Sequence, residues 1–178
     1  DLGTTYSAIA QLDDLGNPEV LSSIDSNRKI TASAVYIKDN SVIVGDKSLE
    51  GLKTSPFNVV TETKRQMEND VVYSLSKGKW IDNEEDSKEN YTPSQISSFI
   101  LSKLKEYSTD IKKVVITVPA LFAEKARVAT LDAAKMAGLE VIELINEPTA
   151  AACYYASLPS VEKVTGKVLV FDLGGGTL

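Results

Sequence analysis

The second half of the chain alternates between short apolar runs and helical patterns, and this alternation restricts the fold more than any other feature. Strands are predicted at Lys113 to Val118, whose nearly all-apolar run favours a strand covered on both faces, and at Leu139 to Ile145 and Gly166 to Phe171. Helices are predicted at Glu124 to Ala137 and Pro148 to Ser157. An order of strand, helix, strand, helix, strand specifies right-handed crossovers and a sheet with parallel strands.

The first half has a different pattern, that of antiparallel hairpins. Tyr6 to Leu12 alternates small or apolar with polar residues, and Glu19 to Ser23 is its predicted partner. Ser33 to Lys38 and Ser41 to Val44 predict a second hairpin. We therefore expect an α/β core in which the region from about residue 32 to residue 91 is an α+β insertion.

Composition excludes several kinds of chemistry. Histidine is absent from the 178 residues, and cysteine occurs once, as Cys153. No Ser–His–Asp triad, histidine- or cysteine-ligated zinc site or internal disulfide can form, so any chemistry must use carboxylates, hydroxyls, Lys or Arg, backbone amides or a hard metal such as Mg²⁺. The net charge of −6 argues against nucleic acid as a partner, and the longest apolar stretch, Val114 to Ala123, is too short for a membrane helix.

Two glycine-containing turns at opposite ends of the chain are alike in sequence. The first is Asp1-Leu2-Gly3-Thr4, and the second is Asp172-Leu173-Gly174-Gly175-Gly176-Thr177, directly after a predicted buried strand. Successive amide N–H groups in such turns can hold phosphate oxygens, and an adjacent aspartate can bind Mg²⁺ directly or through water. Either turn alone is typical of an ordinary hairpin, whereas the pair favours a polyphosphate site.

Three further residues have ordinary explanations when they are taken singly. Glu147 is typical of the first turn of a helix, where a carboxylate adds about 0.3–1 kcal/mol. Lys64 has the pattern of a solvated surface lysine, and Pro119 that of a residue ending a strand. Residue type and spacing alone assign no function to any of them.

Together these segments resemble the seventy-kilodalton heat-shock chaperone family. The motifs occur in that family's order and approximate spacing over essentially the whole chain, as DLGTTYS, TETKR around Lys64, VVITVPALF, INEPTAAA and VLVFDLGGGTL. The combination of NEPTAAA with DLGGGT is specific, because the actin-like and sugar-kinase relatives share the hairpins but not this pair of motifs.

The resemblance implies the first of the two lobes of an N-terminal ATPase domain, with a ribonuclease-H-like (actin-like ATPase) fold of mixed sheet and helices. Residues 1–31 and 92–178 would form the base subdomain of the lobe, and residues 32–91 an inserted α+β subdomain. The second lobe and the substrate-binding domain would lie outside this chain. We expect the fragment alone to bind ATP weakly or not at all, and not to hydrolyse it.

The resemblance also implies roles for individual residues. Nucleotide and phosphate contacts are expected from Gly3, Thr4, Thr5, Tyr6, Gly174, Gly175, Gly176 and Thr177. The expected catalytic residues are Lys64 and Glu147, which would orient the attacking water, Asp172 as a proton acceptor, and Thr177. Asp1 and Asp172 would hold Mg²⁺ through its water shell. Pro119 and Arg127 match the family's allosteric relay between the nucleotide site and the substrate-binding domain.

The implied activity is hydrolysis of Mg·ATP coupled to the binding of unfolded polypeptide, with ATP or ADP and Mg²⁺ as cofactors and K⁺ as a further candidate. A J-domain co-chaperone and a nucleotide-exchange factor are the expected partners, and neither nucleic acid nor a membrane is expected. The cytoplasm is the expected compartment; an organelle lumen stays open because the true N-terminus is missing.

Some positions depart from the family pattern. Leu121, Ala123 and Glu124 stand where the family has VPAYFND, and Ala32 replaces its usual proline. Two alternatives stay open. A non-hydrolysing nucleotide-binding relative, serving as co-chaperone or exchange factor, is favoured by the altered relay surface. An actin-like filament ATPase is disfavoured by NEPTAAA.

Overall fold

A computed structural model of the chain describes residues 1–39, 41–83, 87, 89–108 and 111–176. The strands are β1 (Tyr6–Ser7), β2 (Ala10–Leu12), β3 (Pro18–Val20), β4 (Thr31–Ala32), β5 (Val35–Lys38), β6 (Ser41–Val44), β7 (Val59–Val60), β8 (Val71–Ser74), β9 (Lys79–Asp82), β10 (Asn90–Tyr91), β11 (Lys113–Val118) and β12 (Glu140–Asn146). The α-helices are α1 (Pro93–Lys105), α2 (Glu124–Met136) and α3 (Glu147–Ser157). Short 3-10 segments cover Asp46–Lys53, Pro56–Asn58 and Thr63–Gln66.

Antiparallel hairpins make up the first half, as predicted. β2 pairs with β3, β5 pairs with both β6 and β7, and β8 lies between β9 and β10. The predicted strand from Tyr6 to Leu12 is interrupted, because its two ends pair with different strands. Tyr6 in β1 lies opposite Ala32 in β4, whereas Ala10 in β2 lies opposite Val20 in β3.

Helix α1 supplies the centre of the core. Thr92 begins it with a capping box, in which the Thr92 hydroxyl accepts a 3.2 Å hydrogen bond from the Gln95 N–H and the Gln95 side chain accepts one of 2.8 Å from the Thr92 N–H. Ile96, Ile100 and Leu104 follow at helical spacing and are buried. Ile96 and Ile100 pack in one cluster with side chains of β5, β7 and β8, and burying each contributes about 1.5–3 kcal/mol.

The predicted strand–helix–strand unit is present as β11, α2 and β12. The two strands are parallel, with Val118 beside Asn146 at their carboxyl ends. Gly138, at φ +67°, follows the end of α2, and the Leu139 N–H donates a 2.9 Å hydrogen bond to the Ala134 carbonyl. This turn at the C-terminal end of α2 leads the chain into β12. Because β12 runs parallel to β11, the carboxyl ends of both strands lie at the same edge of the sheet.

Two strand predictions are wrong. β11 is covered on one face only: Ile116 and Val118 are buried, but Val115 is 48% exposed because it points away from that face. Gly166 to Phe171 forms no strand, and Leu169 is 94% exposed. A strand needs a neighbour for its backbone hydrogen bonds, and no described residue supplies one to this segment.

The prediction of one mixed sheet is also not met within the described ranges, where parallel and antiparallel pairs occur in separate sheets. What is observed is an α/β chain with one parallel pair and several antiparallel hairpins. None of the helices in the described part of the chain combines the length and apolar character needed to cross a membrane.

Candidate functional site

Both glycine turns and two oppositely charged side chains line one cavity of about 410 Å³. It lies where β11 and β12 end, which is the edge at which α/β folds usually bind ligands. The lining residues are Asp1, Gly3, Thr4, Thr5, Tyr6, Lys64, Thr117, Glu147, Asp172, Gly174 and Gly175. All of these except Thr117 are candidate site residues from the sequence.

The first glycine turn is a tight hairpin. The Asp1 nitrogen donates a 2.8 Å hydrogen bond to the Ala8 carbonyl, and the Ala8 N–H donates one of 3.0 Å to the Asp1 carbonyl. The Gly3 N–H donates to the Ser7 hydroxyl at 3.2 Å. A Cβ at Gly3 would overlap the Tyr6 carbonyl oxygen, so this turn requires glycine for lack of space.

The second glycine turn packs directly against the first. A Cβ at Gly175 would overlap the Thr5 hydroxyl oxygen, and one at Gly176 would lie 2.7 Å from Thr4 Cγ2. The close approach therefore explains why both positions are glycine. Gly176 does not line the cavity, and Thr177 lies outside the described residues.

Lys64 and Glu147 form an ion pair within the cavity wall. Lys64 Nζ lies 2.5 Å from Glu147 Oε1, and the two side chains are only 7% and 17% exposed. Lys64 comes from the 3-10 segment Thr63–Gln66 and Glu147 is the first residue of α3, so two distant parts of the chain meet here.

Thr117 is a site residue that the sequence analysis missed. Its hydroxyl donates a 3.0 Å hydrogen bond to Asp1 Oδ1 and so links β11 to the first glycine turn. A signal was available, since Thr117 is the one hydroxyl in the apolar run from Val114 to Val118 and lies near its carboxyl end.

Pro119 and Arg127 do not line the cavity, but both form hydrogen bonds with the backbone of Phe122, whose ring lies near Lys64. The buried Pro119 accepts a 3.1 Å hydrogen bond from the Phe122 N–H through its carbonyl. Arg127 donates at 3.1 Å to the Phe122 carbonyl and at 2.8 Å to the side chain of Asn146, the residue before Glu147. Lys64 Nζ in turn lies 5.8 Å from the centre of the Phe122 ring.

Comparison with known proteins gives a consistent result. The family model described as Hsp70 protein matches residues 1–178. Chaperone protein DnaK of Mycoplasmopsis agalactiae is 43% identical over 99% of this chain and 28% of its own length. Chaperone protein DnaK of Thermotoga petrophila is 40% identical with the same coverage, and that of Methanothermobacter thermautotrophicus is 38% identical over 100% of this chain and 29% of its own length.

The chain thus spans less than a third of the length of these curated relatives. The match nevertheless extends over every motif used above, from the first glycine turn to the second. The chain therefore belongs to the Hsp70 family, and this membership implies the actin-like ATPase fold for its mixed α/β structure.

Proposed function

We propose that this chain is lobe I of the ATPase domain of a molecular chaperone that couples binding and hydrolysis of Mg·ATP to binding of unfolded polypeptide. The observation that carries the proposal is that both glycine turns and the Lys64–Glu147 pair line the same cavity. The relatives named chaperone protein DnaK support the chaperone role.

The two turns are suited to bind the phosphates. In the proposed site the backbone N–H groups and hydroxyls of Thr4 and Thr5 contact phosphate oxygens from one side, with Tyr6 close by. Gly174 and Gly175 contact them from the other, together with Gly176 and Thr177. The glycines allow the two turns to pack closely at this site, because a Cβ at Gly3 or Gly175 would overlap atoms of the first turn.

The carboxylates of the cavity fit a hard cation held largely through water. Asp1 and Asp172 line the cavity, and no cluster of three or more potential metal ligands occurs in the described ranges. Mg²⁺ commonly retains several waters and takes only one or two protein carboxylates, so Asp1 and Asp172 would hold it in this way, and K⁺ is a further candidate cation. When bound, Mg²⁺ neutralises charge that develops on the phosphates.

Lys64 and Glu147 are proposed to orient the attacking water. Phosphoryl transfer needs positioning and charge stabilisation more than covalent chemistry. The ammonium of Lys64 can donate a hydrogen bond to the water oxygen, while the Glu147 carboxylate accepts a hydrogen bond from the same water. The ion pair keeps the two groups side by side. Asp172, on the opposite turn, is the proposed proton acceptor, and Thr177 is proposed as a further catalytic residue.

The proposed subdomains are those of a ribonuclease-H-like lobe, with residues 1–31 and 92–178 as the base and residues 32–91 as the insertion. The parallel β11–α2–β12 unit within the base range supports this division. The hairpins β5–β6 and β8–β9 within the insertion range support it as well.

Pro119 and Arg127 are proposed as the relay to a substrate-binding domain outside this chain. The hydrogen bonds of Arg127 to the Phe122 carbonyl and to Asn146 support the idea, because Asn146 precedes Glu147. A J-domain co-chaperone and a nucleotide-exchange factor are the proposed partners, and unfolded polypeptide is the proposed substrate.

Single-turnover hydrolysis of ATP by the full-length protein tests the proposal. Lys64→Ala and Glu147→Ala should each slow hydrolysis by about 100-fold, since each removes one of two groups that position the water. Lys79→Ala and Glu143→Ala are matched controls, because both residues are exposed and neither lines the cavity.

Normal hydrolysis in both cavity variants would contradict the assigned roles. A wild-type protein that binds Mg·ATP but does not hydrolyse it would instead favour the non-hydrolysing relative. Leu121, 87% exposed on the altered relay surface, is the observation behind that second candidate.

A further inference from the structure

Arg65 follows Lys64 in sequence but does not line the 410 Å³ cavity. Its Nη2 instead donates a 3.0 Å hydrogen bond to the Gly175 carbonyl, across 110 positions of sequence. Its guanidinium also lies against the next residue, because a Cβ at Gly176 would be 2.8 Å from Arg65 Nε. One arginine therefore contacts two successive residues of the second glycine turn.

Little else in the described part of the chain fastens this turn. Residues 162–176 contain no strand or helix, and the bond from Arg65 is the one hydrogen bond that joins them to the rest of the described residues. The remaining close contacts are the packing of Gly175 and Gly176 against Thr5 and Thr4. The position of the turn thus depends strongly on Arg65.

Arg65 is itself held in place. Its Nη1 forms a 2.9 Å ion pair with Glu62 Oε2, three residues earlier. Glu62 has a left-handed backbone conformation, with φ 55° and ψ 26°, immediately before the 3-10 segment Thr63–Gln66. One edge of the guanidinium is therefore occupied by Glu62, and its other amino group donates to the turn.

We infer that Arg65 is a positioning residue for phosphate binding. It holds Gly175 and Gly176 against the first glycine turn, and thereby sets the position of the amides that bind the terminal phosphates of a nucleotide. The inference rests on the proposed function and adds to it a residue that does not line the cavity.

The test compares a phosphorylated ligand with an unphosphorylated one in the full-length protein. Dissociation constants for Mg·ADP and for adenosine are measured by calorimetry. Arg65→Ala should weaken Mg·ADP binding about fivefold to tenfold, which corresponds to the net contribution of one typical hydrogen bond, and leave adenosine binding within about twofold. A general loss of folding would weaken both ligands alike, so the ratio reports positioning.

Two further variants complete the design. Arg65→Lys keeps the charge and a donor, and should bring Mg·ADP binding back to within about threefold of wild type. Lys79→Ala removes the positive charge of an exposed lysine that, together with Arg65, lines a second cavity separate from the 410 Å³ one. Lys79 does not contact the described residues of the turn, so both constants should be unchanged.

The inference would be overturned, with the proposed function left standing, by Mg·ADP binding within twofold of wild type in Arg65→Ala or by equal losses for the two ligands. A Lys79→Ala effect as large as that of Arg65→Ala would also overturn it, since charge and not contact would then be responsible. Failure of the wild type to bind Mg·ADP at all would refute the proposed function, and the inference with it.

Discussion

The Lys64–Glu147 pair allows a prediction about stability that is independent of catalysis. At a separation of 2.5 Å, and with an effective dielectric constant of about 20, the attraction between the charges is about 7 kcal/mol. Desolvation costs several kcal/mol per ion and offsets most of it. The pair as a whole therefore adds little stability, whereas one charge left without its partner is costly.

Different costs are expected for the two single variants. Glu147→Gln leaves Lys64, whose side chain is 7% exposed, without a counter-charge, and should destabilise the fold by about 3 kcal/mol. Lys64→Met leaves Glu147, which is 17% exposed and more accessible to water, and should cost about 2 kcal/mol. The double variant should cost no more than either single one, which gives a coupling free energy of at least about 3 kcal/mol.

Urea denaturation, followed by circular dichroism and by the fluorescence of Trp80, measures these free energies, and coincident transitions establish two-state behaviour. The exposed pair Lys113–Glu140 is the matched control, because its atoms are 3.8 Å apart and its side chains are 65% and 66% exposed. Its coupling should be less than about 0.5 kcal/mol. Additive losses at Lys64 and Glu147 would refute the reasoning, because they would mean that neither charge depends on the other.

Three other substitutions have expected outcomes. Thr92→Ala removes the capping box of α1 and should lower the free energy of unfolding by about 1 kcal/mol; an unchanged urea midpoint would contradict this. Arg127→Ala should cost about 1–2 kcal/mol in the same assay by leaving the Phe122 carbonyl and the Asn146 side chain without their donor, and a fully stable variant would show that water replaces it. Gly176→Ala should abolish most Mg·ADP binding with little change in circular dichroism, because a Cβ would lie 2.7 Å from a Thr4 methyl; retained affinity in calorimetry would show that the turns can separate.

Local pattern was sufficient for much of the secondary structure. The hairpin of β5 and β6 and the helix α2 follow from side-chain periodicity, which is a property of neighbouring residues. The end of α2 before Gly138 follows in the same way, because glycine readily adopts the positive φ required there. Periodicity misjudged Gly166 to Phe171, since an apolar run becomes a strand only where another strand lies beside it.

For the candidate site, too, some features follow from the sequence and others only from the tertiary structure. The sequence by itself determined which residues could hold phosphate and a hard cation, because the two glycine turns and the absence of histidine depend only on residue type. Only the tertiary structure decided that Lys64 meets Glu147, that Thr117 bonds to Asp1 and that Arg65 reaches Gly175. These contacts join residues that are 83, 116 and 110 positions apart in the sequence. Whether residues so far apart in sequence come into contact depends on the packing of the whole chain, and no local preference determines it.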